Sequence, residues 1–364
     1  MEKVGVQIDN KSILITGVAG FIGSYLAQRL LSDSVNALIV GVDSLTDYNP
    51  YNLKKYRLEK IKKVANASAS KWIFIKMSIS DKKSVEDLFK KYKFDIVVNL
   101  AAQAGVRYSI SNPDAYMGSN VIGFYNILEA CRDSQNLEHL VYASSSSVYG
   151  GNKKVPFSTE DFVDNPYSFY AATKKSNELF AFSYSKLYGV PTTGLRFFTV
   201  YGPAGRTDMA YFSFAERLRE HKKIDVFNYG NCQRDFTYID DIIEGIYRVI
   251  KKAPRKSVGD DGLIVAPYSI YNIGGEQPEN LMDFITILSE ELIKVNVLEK
   301  EFDIKKYMNL IPMQLGDVPV TYADCKELVR DFDYKPETKL RDGLKKFSEW
   351  YSEWIIQKEI YEGL

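Results

Sequence analysis

Short apolar runs alternate with helix-length amphipathic stretches over the first two hundred positions. Ser12–Thr16 (SILIT), Ala37–Asp43 (ALIVGVD), Trp72–Lys76, Asp95–Leu100 (DIVVNL), Leu140–Ser144 and Thr193–Phe198 are the runs. Their apolar, β-branched residues follow one another without polar alternation, the pattern of strands buried on both faces. Helical spacing covers Phe21–Leu31, Ser84–Lys91, Ala115–Asp133 and Phe169–Tyr188. Strand–helix alternation of this kind predicts an α/β fold, a doubly wound parallel sheet with right-handed crossovers.

The rhythm weakens after Tyr201. Gly202–Arg206 and Gly259–Pro267 carry loop signals, and Tyr238–Lys252, Leu281–Lys294 and Leu340–Ile356 read as further helices. The expected organisation is a sheet domain over residues 1–200, joined by a returning segment near 235–270. A smaller mixed C-terminal substrate domain spans 201–364. Asn52–Lys63 is lysine-rich but interleaved with Leu53, Leu58 and Ile61, which predicts a helix with a solvated face.

Composition removes several classes of function. The 364 residues carry 47 Lys+Arg and 47 Asp+Glu, so no basic excess exists to neutralise nucleic-acid phosphates. No apolar run is long enough to span a bilayer, and the N-terminal residues are too polar for a signal peptide. Cys131, Cys232 and Cys325 are widely spaced and give neither a disulfide framework nor metal-ligand spacing, which suits the cytoplasm. With only His139 and His221 available, a Ser-His-Asp hydrolase or a His-ligated metal site loses weight. No metal site is expected.

Directly after the first strand comes Gly17-Val18-Ala19-Gly20-Phe21-Ile22-Gly23, opening a helical pattern. Glycines at this spacing allow a tight turn, backbone approach to a pyrophosphate and close helix–strand packing. The helix start then offers free N–H groups to phosphate. The second strand ends at Asp43, 20 residues after Gly23, where a carboxylate can accept both adenosine ribose hydroxyls. No Arg or Lys follows in Ser44-Leu45-Thr46 to welcome a 2′-phosphate, so the cofactor expected in this Rossmann-type sheet is NAD.

Tyr170-Ala171-Ala172-Thr173-Lys174 puts a phenol and an ammonium on one helix face. A nearby cation favours phenolate, and such a tyrosine can take a proton from a sugar hydroxyl. Ser144-Ser145-Ser146-Ser147-Val148-Tyr149-Gly150 ends a buried strand, where open α/β sheets bind ligands.

These motifs together resemble the extended short-chain dehydrogenase/reductase family, specifically its NAD-dependent nucleotide-sugar epimerases. Asn99–Ser109 is similar to the family's cofactor strand and substrate loop, and Arg234-Asp235-Phe236 to its R-D-F motif. Within the family, Gln103–Ser109, Tyr142–Gly150 and Arg196–Pro203 most resemble the UDP-glucuronate 4-epimerases. The resemblance implies Tyr170, Lys174 and Ser145 as catalytic residues. It implies Gly17, Gly20, Phe21, Ile22, Gly23, Asp43, Leu100, Ala101, Ala102, Tyr170 and Lys174 as the NAD site. A UDP-sugar substrate would meet Arg107, Ser145, Ser147, Thr199, Arg206, Arg234, Gln314 and Asp317, with Thr199 and Arg206 on the hexuronate carboxylate.

Three positions depart from the family pattern: Ala204 for Trp, Thr207 for Pro, and Ser78 for an adenine-contacting Asp, for which Asp81 is a candidate substitute. A 4,6-dehydratase lacks its acid here, because Ser146 and Ser147 stand after the catalytic hydroxyl; Ser147 also replaces the Glu typical of UDP-glucuronate decarboxylases. Neutral UDP-glucose or UDP-N-acetylglucosamine (or its uronate) remains the alternative substrate. Leu179-Phe180-Ala181-Phe182 is apolar on more than one helix face. The family's usual homodimer would cover it, together with Ala115–Asp133.

Overall fold

The computed structural model describes residues 2–362 except 49, 260 and 315, with no side-chain description beyond 358. Seven parallel strands form the central sheet. In chain order they are β1 (Ser12–Thr16), β2 (Leu38–Asp43), β3 (Lys71–Lys76), β4 (Ile96–Asn99), β5 (His139–Ser145), β6 (Thr192–Phe197) and β7 (Tyr268–Ile273). Their spatial order is β7-β6-β5-β4-β1-β2-β3. Every residue of β4 and β6 is buried, as their unbroken apolar runs require, while the edge strand β3 is half-buried with exposed ends. Chain order reverses at β1, between β2 and β4, so a crevice opens at the carboxyl ends of the strands there.

The helices that cover the sheet include α1 (Phe21–Asp33), α2 (Tyr51–Ala65), α3 (Lys82–Tyr92), α4 (Gly123–Arg132) and α5 (Phe169–Tyr188). The stretch expected as one helix over 115–133 is broken. A short turn at Pro113–Tyr116 and a π-helical segment at Met117–Ile122 precede α4. The extra residue of a π-turn re-aims side chains, a device common at functional sites. Here it turns Asn120 inward: its amide nitrogen donates to the Gln103 carbonyl and to Thr173 Oγ1, both at 3.0 Å, and its Oδ1 accepts from Gln103 N at 2.8 Å. That bridge ties the loop after β4 to α5.

The lysine-rich helix α2 has the expected solvated face, with Glu59, Lys60, Lys62 and Lys63 exposed, but its other face is more deeply buried than its lysines suggest. Lys54 and Arg57 are buried along with Leu53, Tyr56 and Ile61. The reason is a second layer: α2 packs between α1 and the C-terminal helix Leu340–Glu362. Trp350 Nε1 donates to Tyr56 OH at 3.0 Å, and Trp354 meets the same ring edge-on.

Beyond β6 the chain builds a smaller sheet in which Gln233–Tyr238 lies between Thr199–Tyr201 (parallel) and Pro278–Asn280 (antiparallel). The chain then returns to the central sheet through Ile239–Ile250, whose Ile239, Ile242, Ile243, Ile246 and Val249 follow helical spacing and are buried. Asp235 pins the join. Its buried carboxylate accepts backbone N–H groups from Gly275 (2.6 Å), Ala323 (2.9 Å) and Glu276 (3.2 Å).

His139 is buried, bonded to Thr193 Oγ1 at 2.8 Å, and burial holds its pKa down at about 4. It is a neutral structural residue. Among the described residues no helix is long and apolar enough to cross a membrane.

Candidate active site

A cleft of about 960 Å³ runs along the carboxyl ends of the strands. That is at the upper end for a single ligand and suits two nucleotides end to end.

Its cofactor end is built from backbone. Gly17 has a left-handed φ of 69°, and a Cβ there would lie 2.8 Å from the Ala101 backbone. A Cβ at Gly23 would lie 2.4 Å from the Gly17 carbonyl oxygen. Gly20 begins α1 without any side-chain cap, leaving the first-turn N–H groups open to an anion. Asp43 closes β2 and accepts from the N–H groups of Ala19 (3.0 Å) and Leu45 (2.8 Å), so its carboxylate is aimed at the glycine loop. An ionised carboxylate keeps acceptor capacity beyond those two bonds. Leu100, Ala101 and Ala102 form the opposite wall, anchored by Ala101 N on Thr16 Oγ1 at 3.0 Å. Gln103, beside them, has a buried amide nitrogen with no acceptor among the described residues. These features fit a dinucleotide: open N–H groups for a pyrophosphate, a carboxylate for a ribose and an unused donor. Asp81 does not join them. It caps α3, accepting from Ser84 Oγ at 2.6 Å, while Ser78 stays in the cleft wall bonded to Ser80 Oγ.

The next section of the cleft holds the acid–base groups. Ser145 ends β5 and caps the turn Ser146–Tyr149, its Oγ 3.1 Å from both Ser147 N and Ser147 Oγ. Tyr170 stands in the first turn of α5, two residues past the Ser168 cap, and lines the cleft beside Ser145. Burial raises the Tyr170 pKa; the Ser145 hydrogen bond and the Arg206 charge oppose that. Lys174 donates to the Ala143 carbonyl at 2.9 Å, its ammonium 6.0 Å from the Tyr170 ring centre, and burial lowers its pKa to about 8. Both groups share the helix face, as the Y-x-x-x-K spacing predicts, and the Arg206 charge also acts on the phenol.

Behind this face a buried network locks the strands to α5. Glu178, one turn past Lys174, takes Arg196 Nε (2.8 Å), Arg196 Nη2 (2.9 Å) and Ser144 Oγ (2.7 Å). Arg196 Nη1 reaches Tyr149 OH at 2.9 Å, which in turn donates to Asn272 Oδ1 at 2.7 Å.

At the sugar end Thr199, Arg206, Arg234, Arg107, Ser147 and Asp317 line the cleft. Arg107 lies over the Phe227 ring and 3.5 Å from Asp317, bridging two loops. Arg234 Nη1 donates to the carbonyls of Gln233 (3.0 Å) and Pro319 (3.1 Å). Gln314 lies in the same loop as Asp317. Its carbonyl accepts from Asp317 N at 3.3 Å, and Met313, Gly316, Asp317 and Val318 form the wall.

Sequence reasoning missed Tyr48, Arg57, Gln103, Asn120 and Asp208. Arg57 is buried and, among the described residues, has no carboxylate partner. It donates to the carbonyls of Ala204 (2.9 Å), Gly205 (2.8 Å) and Ala19 (3.1 Å). One guanidinium therefore joins the glycine loop to the loop that carries Arg206. It also supports Ala204, an alanine held at a left-handed φ of 52°. No motif announced this role; an arginine on the apolar face of α2 was the available signal.

Residues 13–274 match the NAD dependent epimerase/dehydratase family. The chain belongs to this family. Other similar proteins extend the match over nearly the whole chain. Protein CapI of Staphylococcus aureus is 50% identical over 348 residues, 94% of this chain and 98% of that one. UDP-glucuronate 4-epimerase 2 of Arabidopsis thaliana is 43% identical, covering 93% of this chain and 75% of that one. Among solved structures, UDP-glucuronic acid 4-epimerase of Bacillus cereus in complex with UDP-glucuronic acid and NAD superposes with a TM-score of 0.78 at 30% identity. It covers 94% of this chain and 99% of that one. Within the epimerase/dehydratase family the chain thus stands close to UDP-glucuronate 4-epimerases, which are isomerases.

Proposed function

We propose that this enzyme epimerises C4 of a UDP-hexuronate, interconverting UDP-glucuronate and UDP-galacturonate. One observation carries the reading: the Arg206 guanidinium lines the same cleft as the Tyr170 phenol, Ser145 and Thr199. The C4 hydroxyl and the carboxylate on C5 are neighbours on the sugar ring. A base for the first and a cation for the second must therefore stand side by side.

When bound, NAD accepts a hydride from C4 and returns it. The protein supplies the rest. Tyr170 takes the C4 hydroxyl proton, and Ser145 hydrogen-bonds the reacting oxygen and the phenol. Lys174, cationic below about pH 8, orients the cofactor and sets the potential at the base. Arg206 and Thr199 hold the carboxylate, while Arg107, Arg234 and Asp317 grip the nucleotide. The 4-keto sugar turns over in the pocket, so hydride returns to its opposite face. Tyr170 then gives back the proton. A 4-keto uronate is a β-keto acid, so an epimerase must restrain its carboxylate against loss of CO₂.

The test is proton NMR of the enzyme with UDP-glucuronate, UDP-glucose and UDP-N-acetylglucosamine in parallel. A galacto-type H4 signal from the uronate alone is expected. Turnover of neutral sugars alone would overturn the reading. One observation favours that second reading: Arg206 is already paired with Asp208.

We infer a homodimer from the exposed Leu179, Phe180 and Phe182 on α5 and the exposed Ile122 and Tyr125 before and within α4. These form an apolar face of the kind a two-fold partner covers. Light scattering should report a dimer, and Leu179→Glu with Phe182→Glu should give a monomer. A monomeric wild-type protein at micromolar concentration overturns this inference.

A further inference from the structure

Arg206 presents one edge of its guanidinium to Asp208. Nε donates to Oδ1 at 3.0 Å and Nη2 to Oδ2 at 2.5 Å, a side-on fork. Tyr48 OH donates to the same Oδ2 at 3.0 Å. Tyr48 comes from the loop after β2, and its hydroxyl packs on Gly105, in the loop after β4. Gly105 has a φ of 103°, and a Cβ there would stand 2.5 Å from the Tyr48 hydroxyl. Any other residue at 105 would push Tyr48 off Asp208. The backbone on the near side of Arg206 is fixed as well, because Arg57 holds the carbonyls of Ala204 and Gly205. Three segments of the chain thus converge on one guanidinium. Its Nη1, with two N–H groups, donates to no protein acceptor among the described residues.

We propose that Asp208 is a positioning residue that selects for the carboxylate of the substrate. It clamps Arg206 by the Nε/Nη2 edge and leaves Nη1 free to meet the C5 carboxylate beside Tyr170. The proposal deepens the hexuronate reading and rests on it. A planar guanidinium can bridge two carboxylates on different edges in a fixed geometry, which the rotating ammonium of a lysine does not impose. Burial disfavours the charged form of Asp208, and the Arg206 pair more than offsets this, so the clamp is ionic at neutral pH. The opposite role is physically possible: Asp208 could occupy Arg206 in place of the substrate and repel a uronate. The two roles predict opposite signs.

The test compares KM and kcat for UDP-glucuronate and UDP-glucose in the wild-type enzyme, Asp208→Asn, Asp208→Glu and Tyr48→Phe. Trapped CO₂ is measured alongside. Release of CO₂ from the 4-keto uronate breaks C5–C6, passes the electron pair to the C4 enolate and takes a proton from water at C5. Asp208→Asn keeps the side-chain shape and loses the charge. Its KM for UDP-glucuronate should rise about tenfold or more, the scale of one charge-assisted hydrogen bond. CO₂ should appear, and kcat/KM for a neutral sugar should change far less than that for UDP-glucuronate. Asp208→Glu should recover part of the loss. Tyr48→Phe removes only the third hydrogen bond and should raise KM about two- to fivefold. It keeps the proposal testable should Asp208→Asn fail to fold. A lowered or unchanged KM for UDP-glucuronate in Asp208→Asn, or an equal loss on both sugars, overturns the assignment of Asp208. A wild-type enzyme that ignores UDP-glucuronate overturns the hexuronate reading itself, and the assignment with it.

Discussion

The two ends of the cleft are made of different material. At the cofactor end the walls are backbone: Gly17, Gly20, Gly23 and the Leu100–Ala102 loop, with the Asp43 carboxylate bonded to the glycine loop. At the sugar end the walls are charged and aromatic side chains, and nearly every one is held by another. Arg206 is held by Asp208, Asp208 by Tyr48, and Arg107 by Asp317. Backbone recognition reads features that all dinucleotides share. Side-chain recognition can differ between one sugar and the next, because each group can be exchanged without rebuilding a loop. Arg57 belongs to both ends, since it bonds carbonyls of each.

The division between the ends can be broken or sharpened by mutation. The largest effect should come from Tyr170→Phe, which removes the acid–base group and leaves the cofactor walls intact. kcat should fall about 10²- to 10⁴-fold with NAD still bound, as read by turnover and by cofactor content. Turnover within tenfold of wild type would mean another base. Next is Arg57→Met, which leaves three buried carbonyls without donors. It should cost about 3 kcal/mol of stability and weaken NAD and sugar binding together. Denaturant unfolding and separate titrations check this, and damage confined to one ligand would contradict its linking role. Gly17→Ala should act at the cofactor end alone. Its left-handed backbone and the 2.8 Å approach to Ala101 predict a loss of about 2 kcal/mol. NAD affinity should drop while the sugar KM at saturating NAD holds.

The smallest effect is set by pH. Lys174 is pushed down to about 8, so it is cationic below that pH and neutral above it. kcat/KM should therefore fall as pH rises through about 8, roughly tenfold per unit beyond it. A profile flat to pH 9.5 would show that the charge of Lys174 does not matter.

Most of the central sheet was legible because its information is local. Apolar runs mark strands, and Gly17-x-x-Gly20-x-x-Gly23 lies within seven positions between a strand and a helix. The break at Met117–Ile122 was not legible, since a π-turn has no periodic signature and serves a distant partner, Thr173. The buried face of α2 was hidden for a related reason. Its lysines suggested water, and the helix that covers it begins at Leu340.

The sequence by itself determined the α/β architecture, the glycine cradle, Asp43 at the end of its strand and the Tyr170–Lys174 helix face. Each depends on the backbone conformation of a few successive residues. Only the tertiary structure decided what each charge is bonded to. Arg57 meets the carbonyl of Ala204 across 147 positions, and Tyr48 meets Asp208 across 160. Such pairs form only after the sheet and its two covering layers have brought the segments together. A cation at the sugar end therefore becomes a recognition group through its packing, and residue type alone does not assign that role.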